Sequence, residues 1–292
     1  ADKPLVPASV TKLVTGAAAY ELLGQDYRFT TRVYLEGGQC GDSGTVKGDL
    51  YIRGGGDPGF LAERLWLFVQ HLYHRGIRRV EGDLVFDDTF FDTCVVGPGF
   101  GDDGSSRAYV APVGALSASF NTVAVHQRPG PRIGAPVMVD VFPEIAGIEL
   151  VCTAKTTPPG RSSGVNVRTE RQDERTLVAV YGNMALGADP RYTYRKVWNP
   201  AQNFAGAFAA HLQRYGVEVK GGIRYAAIPD SIANRDQFYT FKSRELSEYV
   251  RHMFKYSSNF AAEMIYKTIA AKHNNDKGGS WDSAQAIVER WW

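Results

Sequence analysis

A helix–glycine–strand unit occurs twice in this chain of 292 residues and limits the folds it can adopt. The first copy reads FLAERLWLFVQHLYHR, then Gly76 and IRRVEGDLVF. The second reads NPAQNFAGAFAAHLQRY, then Gly216 and VEVKGGIRY. A true internal repeat and a generic unit used twice both remain open. In either case the two copies indicate one α/β region, interrupted by a strand-like, Pro/Gly-rich segment at about 111–190.

Both ends of the chain are predicted to be mainly helical. The first helix should run from about Ser9 to Leu23, with Gly24 as its stop, and its nearly continuous apolar circumference predicts a buried helix. The stretch RFTTRVYL at 28–35 alternates in polarity, as a half-buried strand does. Near the other end, SRELSEYVRHMFK at 243–255 and FAAEMIYKTIAAKH indicate two helices separated by YSSN.

Composition excludes several classes of protein. A formal net charge of +2 is too small for a nucleic-acid partner, and no apolar run approaches the ~20 residues that cross a bilayer. Cys40, Cys94 and Cys152 form no CxxC pair, so we expect no zinc site, and one disulfide or three reduced thiols are both open. His71 and His74 fit a helix surface better than a metal site. We expect no metal and no organic cofactor.

Ser9 and Lys12 are the first candidates for chemistry. At a spacing of three they project from the same side of the first helix. A lysine surrounded by Leu13, Val14 and alanines should have a lowered pKa, so that its neutral amine could take the serine proton and leave a nucleophile. The helix N-terminus would favour the developing negative charge. The alternative is that Ser9 is an ordinary N-cap beside a chance lysine.

Ser257 and Asn259 form a second candidate pair, in the break between two helices. Both would face the same cleft, where the hydroxyl could relay a proton and the amide could hold Lys12 and a substrate carbonyl. The alternative is that Ser258 or Asn259 only caps the next helix. Ser119-Phe120-Asn121 has the same S-x-N pattern, but it reads as part of a strand and is rejected.

Together, S-x-x-K and S-x-N match the motifs of penicillin-binding proteins and β-lactamases. PASVTKLVTGAAAYELLGQDYRFTTRV, GDLYIRGGGDP, GIRRVEGDLVFDDTFFD, YVAPVGALSASFNTVAV and MFKYSSNFAAEMI resemble, in order, the D-alanyl-D-alanine carboxypeptidase/endopeptidase family, the low-molecular-mass class C penicillin-binding proteins. The resemblance covers nearly the whole chain. It implies that Ser9 is the acylated nucleophile, Lys12 its general base, and Ser257 and Asn259 the second motif.

The resemblance also implies the fold. The class is α/β (α+β), with a penicillin-binding/serine β-lactamase-like transpeptidase domain that carries large inserted α/β and β-rich domains. Residues 1–36 and 240–292 would form a discontinuous and incomplete catalytic domain. Residues 37–110 and 191–239 would form inserted domain II, and residues 111–190 the β-rich domain III.

The third family motif, K-T-G, does not follow Asn259. Lys155-Thr156-Thr157 is a near match, but it precedes the second motif and lies in the insertion, so it cannot serve. Family members carry this motif on a strand that binds the substrate carboxylate and supplies half of the oxyanion hole. Only the Ser9 backbone N–H is a candidate for that hole here. We therefore expect the chain to be a fragment of a longer enzyme that lacks both ends.

Asp87, in VFDDTFFD, is a further candidate for substrate binding. It follows a strand where the family's inserted domain approaches the cleft, and it could pair with a free amine on a peptidoglycan stem peptide. A solvated turn carboxylate is the alternative.

The sequence thus predicts a serine DD-peptidase that cleaves peptidoglycan stem peptides through an acyl-enzyme and is acylated by β-lactams. Such a protein would be extracytoplasmic, in the periplasm or cell envelope, with a signal peptide outside this chain, and proximity to a membrane surface stays open. A serine β-lactamase or esterase is one rival, although the long insertion disfavours it. A non-catalytic peptidoglycan-binding or scaffolding homologue is the other. Carboxypeptidase or endopeptidase preference, stem-peptide type and oligomeric state are not predicted.

Overall fold

A computed structural model describes residues 6–100, 104–143, 147–161, 164–172 and 175–292. The α-helices of these residues are α1 (Thr11–Leu23), α2 (Ala62–His74), α3 (Pro200–Arg214), α4 (Asp230–Ala233), α5 (Leu246–Tyr256), α6 (Asn259–His273) and α7 (Trp281–Trp291). Short 3₁₀ turns cover Ala8–Val10, Ala108–Val110 and Ser119–Asn121.

The strands are mostly short and lie between α1 and α5 in the chain. They are β1 (Arg28–Leu35), β2 (Thr45–Val46), β3 (Leu50–Arg53), β4 (Arg79–Val80), β5 (Leu84–Asp87), β6 (Thr122–Arg128), β7 (Met138–Phe142), β8 (Ile148–Cys152), β9 (Lys155–Thr157), β10 (Asn166–Gln172), β11 (Arg175–Tyr181), β12 (Asn183–Ala185), β13 (Arg191–Lys196), β14 (Glu218–Val219), β15 (Ile223–Tyr225) and β16 (Tyr239–Glu245).

Helices α1, α5, α6 and α7 pack together around a core that includes Ala18, Met253 and Ile265. The predicted all-round burial of the first helix is wrong, because the Leu13 side chain is 58% exposed. The helix predicted from residue 243 begins at Leu246, since the preceding residues complete β16. The site described below lies in this helical cluster.

A five-stranded sheet in the order β15-β5-β3-β1-β16 supports the helical cluster. The alternation predicted for β1 is confirmed up to Val33, since Phe29, Thr31 and Val33 are buried while Thr30 and Arg32 are half-buried, but Tyr34, predicted on the polar face, is buried as well. Strand β16 pairs antiparallel with β1 and leads directly into α5. The sheet therefore connects the first helix of the chain to the last three.

The two helix–glycine–strand units lie side by side, as one α/β region. Helices α2 and α3 contact each other, β14 pairs parallel with β4, and β15 pairs parallel with β5. Both helices end at a glycine with positive φ, +105° at Gly76 and +74° at Gly216, where a side chain would be strained. The two copies therefore have the same order of elements, a helix followed by two short strands.

The middle of the chain forms small sheets around a separate core that includes Val125, Val178 and Met184. Strand β13 pairs with β6 along its whole length, although the predicted boundary at 190 assigned β13 to the α/β unit. We therefore propose that the β-rich unit extends through Lys196. The division into three domains otherwise stays a prediction.

Among the residues that the structure describes, no helix has the length and apolar character needed to cross a membrane. Cys40, Cys94 and Cys152 are free. Of the two cysteine arrangements left open by the sequence, the structure has the reduced one.

Candidate active site

Ser9 and Lys12 lie at the start of the helical cluster and contact each other. Ser9 is in the 3₁₀ turn that leads into α1, and Lys12 Nζ lies 3.0 Å from Ser9 Oγ. Ser9 is not the N-cap of α1, because Val10 holds that position and no side chain caps the helix. The ordinary capping alternative for Ser9 is therefore wrong, and its hydroxyl is free to face the lysine.

Ser257 and Asn259 reach the same point from the junction of α5 and α6. Ser257 ends α5 in the left-handed region, with φ +52°, which turns the chain sharply before α6. Ser258 caps α6, since its Oγ accepts a hydrogen bond from the Ala261 N–H at 3.2 Å. The capping role thus belongs to Ser258, and its two neighbours are available for other contacts.

Four side chains meet as a result. The Ser257 hydroxyl donates to Ser9 Oγ at 2.9 Å, and Lys12 Nζ donates to Asn259 Oδ1 at 2.7 Å. The Asn259 Nδ2 group donates to the Tyr109 carbonyl at 3.2 Å, which directs the amide oxygen toward the lysine. The structure therefore brings together all four residues that the two motifs predicted.

Burial changes the pKa of the Lys12 amine, which lies at the centre of this group. Lys12 is only 8% exposed, and desolvation lowers its pKa, while the carboxylate of Glu263 raises the pKa in opposition. The pKa of Lys12 is lowered, as predicted. The predicted cause, burial among apolar neighbours that include Leu13, is partly wrong, since Leu13 points toward solvent. A neutral lysine amine next to a serine hydroxyl can accept the hydroxyl proton.

The prediction for Asp87 is wrong in both its forms, as a substrate ligand and as a solvated turn carboxylate. Asp87 is 2% exposed at the end of β5. Its Oδ1 accepts from the N–H and hydroxyl of Thr89, and its Oδ2 accepts from the Ile228 N–H and lies 3.7 Å from Arg53 Nε. Because protein donors surround both oxygens, the carboxylate holds the fold together.

The two rejected motif matches lie outside this group of side chains. Lys155, Thr156 and Thr157 form β9, where the Thr156 hydroxyl is buried and accepts from the Gly130 N–H. Ser119-Phe120-Asn121 is a 3₁₀ turn with positive φ at all three residues, so the predicted strand begins only at Thr122. The Asn121 side chain is fully buried and donates to the Pro112 carbonyl and to Ser117 Oγ.

Sequence reasoning missed a second set of charged groups on α6. Glu263 follows Asn259 by four residues, and Lys267 follows Glu263 by four, so the three share one face of the helix. Lys267 is 0% exposed and donates to Asp92 Oδ1 at 2.6 Å. This spacing, counted onward from the S-x-N motif, is the signal that would have identified these residues.

The fold and the four side chains together define a class of site. This class is the serine–lysine centre, in which a lysine amine activates a serine hydroxyl, and here it is set in a helical cluster beside a sheet. The chain belongs to the D-Ala-D-Ala carboxypeptidase 3 (S13) family, whose model matches residues 1–291.

Named relatives agree with this assignment. The chain is 33% identical over 290 residues to the D-alanyl-D-alanine carboxypeptidase of Actinomadura sp. (strain R39), covering 98% of this chain and 53% of the relative. It is 23% identical over 270 residues to the D-alanyl-D-alanine carboxypeptidase DacB of Haemophilus influenzae, covering 91% of this chain and 54% of the relative. The chain thus spans about half the length of these curated relatives.

A solved structure shares the fold. The crystal structure of penicillin binding protein 4 (dacB) from Haemophilus influenzae matches with a TM-score of 0.82 at 20% identity, over 98% of this chain and 61% of the other. The same protein complexed with a novel β-lactam matches with a TM-score of 0.75 over 98% of this chain and 60% of the other, also at 20% identity. The penicillin-binding type of fold predicted from the sequence is confirmed.

Proposed function

We propose that the protein containing this chain is a serine DD-peptidase that cleaves D-Ala–D-Ala bonds, or D-Ala–diaminopimelate cross-links, in peptidoglycan stem peptides. The single observation that carries the proposal is the contact of Lys12 Nζ with both Ser9 Oγ and Asn259 Oδ1. Family membership supports the same reaction.

In the first step, Ser9 Oγ attacks the carbonyl carbon of the scissile bond while its proton passes to the neutral Lys12 amine. The tetrahedral intermediate collapses as the carbon–nitrogen bond breaks. The departing amine takes a proton from the Lys12 ammonium, and Ser257, hydrogen-bonded to Ser9 Oγ, lies where its hydroxyl can relay that proton. Ser9 is left as an ester of the shortened peptide.

In the second step, water hydrolyses the ester. Lys12, neutral again, takes a proton from the water as its oxygen attacks the acyl carbon, and Ser9 Oγ leaves with a proton. We propose the Ser9 backbone N–H as one donor to the oxyanion, at the N-terminal end of α1 where the helix dipole favours negative charge.

The same chemistry implies two kinds of partner. Peptidoglycan stem peptides would be the substrates. β-Lactams would acylate Ser9 by opening of the lactam ring, whose nitrogen takes the proton, and the resulting ester would be hydrolysed slowly. Because peptidoglycan lies outside the cytoplasmic membrane, we propose an extracytoplasmic location in the periplasm or cell envelope.

Release of D-alanine tests the proposal directly. The full-length protein is incubated with a peptide ending in D-Ala-D-Ala, and free D-alanine is measured for wild type and for Ser9→Ala. We expect release by wild type and loss of at least about 100-fold in the variant, because the substitution removes the nucleophilic oxygen. Equal release by both would overturn the assignment of Ser9.

The rival functions give different results in parallel assays. A β-lactamase would turn over penicillin rapidly instead of retaining it as a stable ester. A non-catalytic homologue would bind peptidoglycan, yet release no D-alanine and form no acyl-enzyme. Either result would contradict the DD-peptidase proposal.

A further inference from the structure

Helix α6 carries charges that continue from the serine–lysine group into the protein interior. Asn259, Glu263 and Lys267 are spaced one helical turn apart on one face. Asn259 is in contact with Lys12 at 2.7 Å, so Glu263 occupies the next turn behind that contact. The order of charges along this direction is Lys12, Glu263, Lys267 and Asp92.

The carboxylate of Glu263 is held in place by two further segments. The indole Nε1–H of Trp281, the first residue of α7, donates to Glu263 Oε2. The backbone of Gly97 lies against the same oxygen, since a Cβ built there would be 3.2 Å from Oε2. The orientation of the carboxylate is therefore fixed by α7 and by the chain after β5.

Lys267 is fixed more firmly still. Its amine donates to Asp92 Oδ1 at 2.6 Å and to the Cys94 carbonyl at 2.7 Å. The Lys267 amine also lies over the Trp281 ring, with Nζ 4.2 Å from the ring centroid, a cation–π distance. One aromatic side chain therefore contacts both the carboxylate of Glu263 and the amine of Lys267.

We propose that Glu263 is a positioning residue for the chemistry of Ser9. Its carboxylate stabilises the ammonium that Lys12 becomes when it takes the Ser9 proton, and the hydrogen bond from Trp281, together with the nearby charge of Lys267, favours the ionised form of that carboxylate. The inference rests on the proposed function, in which Lys12 is the base. It adds a residue that touches neither the substrate nor the reacting oxygen.

The charges around Lys12 and Glu263 agree with a positioning role for Glu263. Burial lowers the pKa of Lys12 and Glu263 raises it, so removal of the carboxylate leaves burial unopposed. Burial raises the pKa of Glu263 above its ordinary value, and the Trp281 hydrogen bond and the two lysines offset part of that rise. The other titratable groups that face this set are, around Lys267, Asp88, Asp92 and the Cys94 thiol, and, beside Glu263, Tyr266.

The test is the pH profile of β-lactam acylation in the full-length protein, measured by stopped-flow for wild type, Glu263→Gln and Glu263→Asp. Acylation requires neutral Lys12, so its rate rises with pH through the Lys12 pKa. In Glu263→Gln we expect the midpoint to fall by about half to one pH unit, as expected when an opposite charge is removed. The plateau rate should fall about threefold to tenfold, because Lys12 is then a weaker base.

Two variants distinguish an electrostatic role from a structural one. Glu263→Asp retains the charge and should keep the wild-type midpoint even if the rate falls. Glu21→Gln removes an exposed carboxylate about 13 Å further along α1 and should leave both midpoint and plateau unchanged. If Glu263→Gln does not fold, Trp281→Phe removes the hydrogen bond that keeps Glu263 ionised, and the midpoint should fall by a smaller amount.

The outcomes separate this inference from the proposed function. If wild type is acylated but the midpoint does not shift in Glu263→Gln, the role of Glu263 is overturned, while the roles of Ser9 and Lys12 stand. The same holds for an unshifted midpoint in Trp281→Phe when Glu263→Gln does not fold. A full-length wild type that no β-lactam acylates overturns the proposed function itself.

Discussion

Lys12 Nζ lies 2.7 Å from Asn259 Oδ1, although 247 positions separate the two residues in the chain. One lies in the first turn of α1 and the other at the first residue of α6, so the contact depends on the packing of these two helices. The inserted α/β and β-rich regions lie between them in sequence. The chemistry of the site is therefore tied to the stability of the helical cluster.

The pH dependence of acylation should report the Lys12 amine. Burial holds the pKa of Lys12 below the ordinary lysine value of 10.5, so β-lactam acylation of the full-length protein should reach half its maximal rate below that pH. Lys12→Arg should lower acylation by about 100-fold or more, because a guanidinium stays protonated and cannot take the serine proton. Lys272→Arg, on exposed α6 surface, is the matched control. Acylation of Lys12→Arg at the rate of this control would contradict the role of Lys12 as base.

Gly16 permits the close approach of α5 to α1. A Cβ at this position would lie 2.6 Å from Phe254 Cζ and 3.2 Å from Val250 Cγ1. Gly16→Val should therefore displace α5, with a loss of about 1–3 kcal/mol in the free energy of unfolding, and should slow acylation because Ser257 ends that helix.

Urea unfolding and acylation rates would be compared with Ala17→Val, an exposed position of α1 where only the small difference in helix propensity applies. Phe254→Ala combined with Gly16→Val should recover part of both losses, since it removes the nearest obstacle. Equal effects at positions 16 and 17 would show that α5 tolerates the added side chain.

The buried ion pair of Lys267 should matter more than an exposed pair on the same helix. Lys267→Met leaves Asp92 without its partner, and we expect a loss of about 2–3 kcal/mol in the free energy of unfolding. This is less than the roughly 3–5 kcal/mol lost when a fully buried pair is broken, because Asp92 is one-third exposed. Lys272→Met removes the partly exposed i, i+4 pair with Asp276 and should cost less than about 0.5 kcal/mol. Denaturant unfolding of the two variants measures the difference, and equal losses would argue against a structural role for the pair.

Asp57 should make the stability of the protein pH-dependent. Burial raises the pKa of Asp57 above its ordinary value of 3.8, although the Gly59 N–H donates to its Oδ1 at 2.8 Å. The folded state then holds this proton more tightly than the unfolded state, so the contribution of Asp57 to stability falls as pH rises from about 3.9 to the raised pKa and is constant above it.

Asp57→Asn keeps an oxygen for the Gly59 N–H but cannot ionise. Its free energy of unfolding should decline less than that of wild type, the rest of the decline coming from Asp88, whose pKa is raised by burial to about 7, whereas Asp26→Asn, at an exposed position, should follow the wild-type curve. The measurement is urea unfolding at a series of pH values. A parallel decline in Asp57→Asn and wild type would exclude Asp57 as its source.

Local signals predicted much of this fold because they depend on near neighbours. The alternation of RFTTRVYL gave the buried face of β1, and Gly76 and Gly216 marked the ends of equivalent helices. The four site residues could be predicted because their spacing fixes how side chains project from a helix or a turn. The prediction that these four residues come together in the folded chain depended on the resemblance to a known family, since no local pattern encodes it.

The failures have tertiary causes. Leu13 is exposed because α5 and α6 cover one side of α1 and leave the opposite side open, a fact absent from the helix's own sequence. Asp87 looked available at a turn, but Ile228 and Arg53 come from distant segments to engage it. Glu263 and Lys267 were overlooked because charged helix residues are usually solvated, and only packing against α7 shows that these are not.

Mapping the residue that penicillin modifies shows whether Ser9 is the nucleophile. The full-length protein is labelled with a fluorescent penicillin and digested, and the labelled peptide is identified by mass spectrometry. We expect one stable ester, on Ser9, which disappears in Ser9→Ala, whereas Ser119→Ala labels like wild type. A label on any other residue, or none on full-length folded protein, would contradict the assignment of Ser9 as the nucleophile.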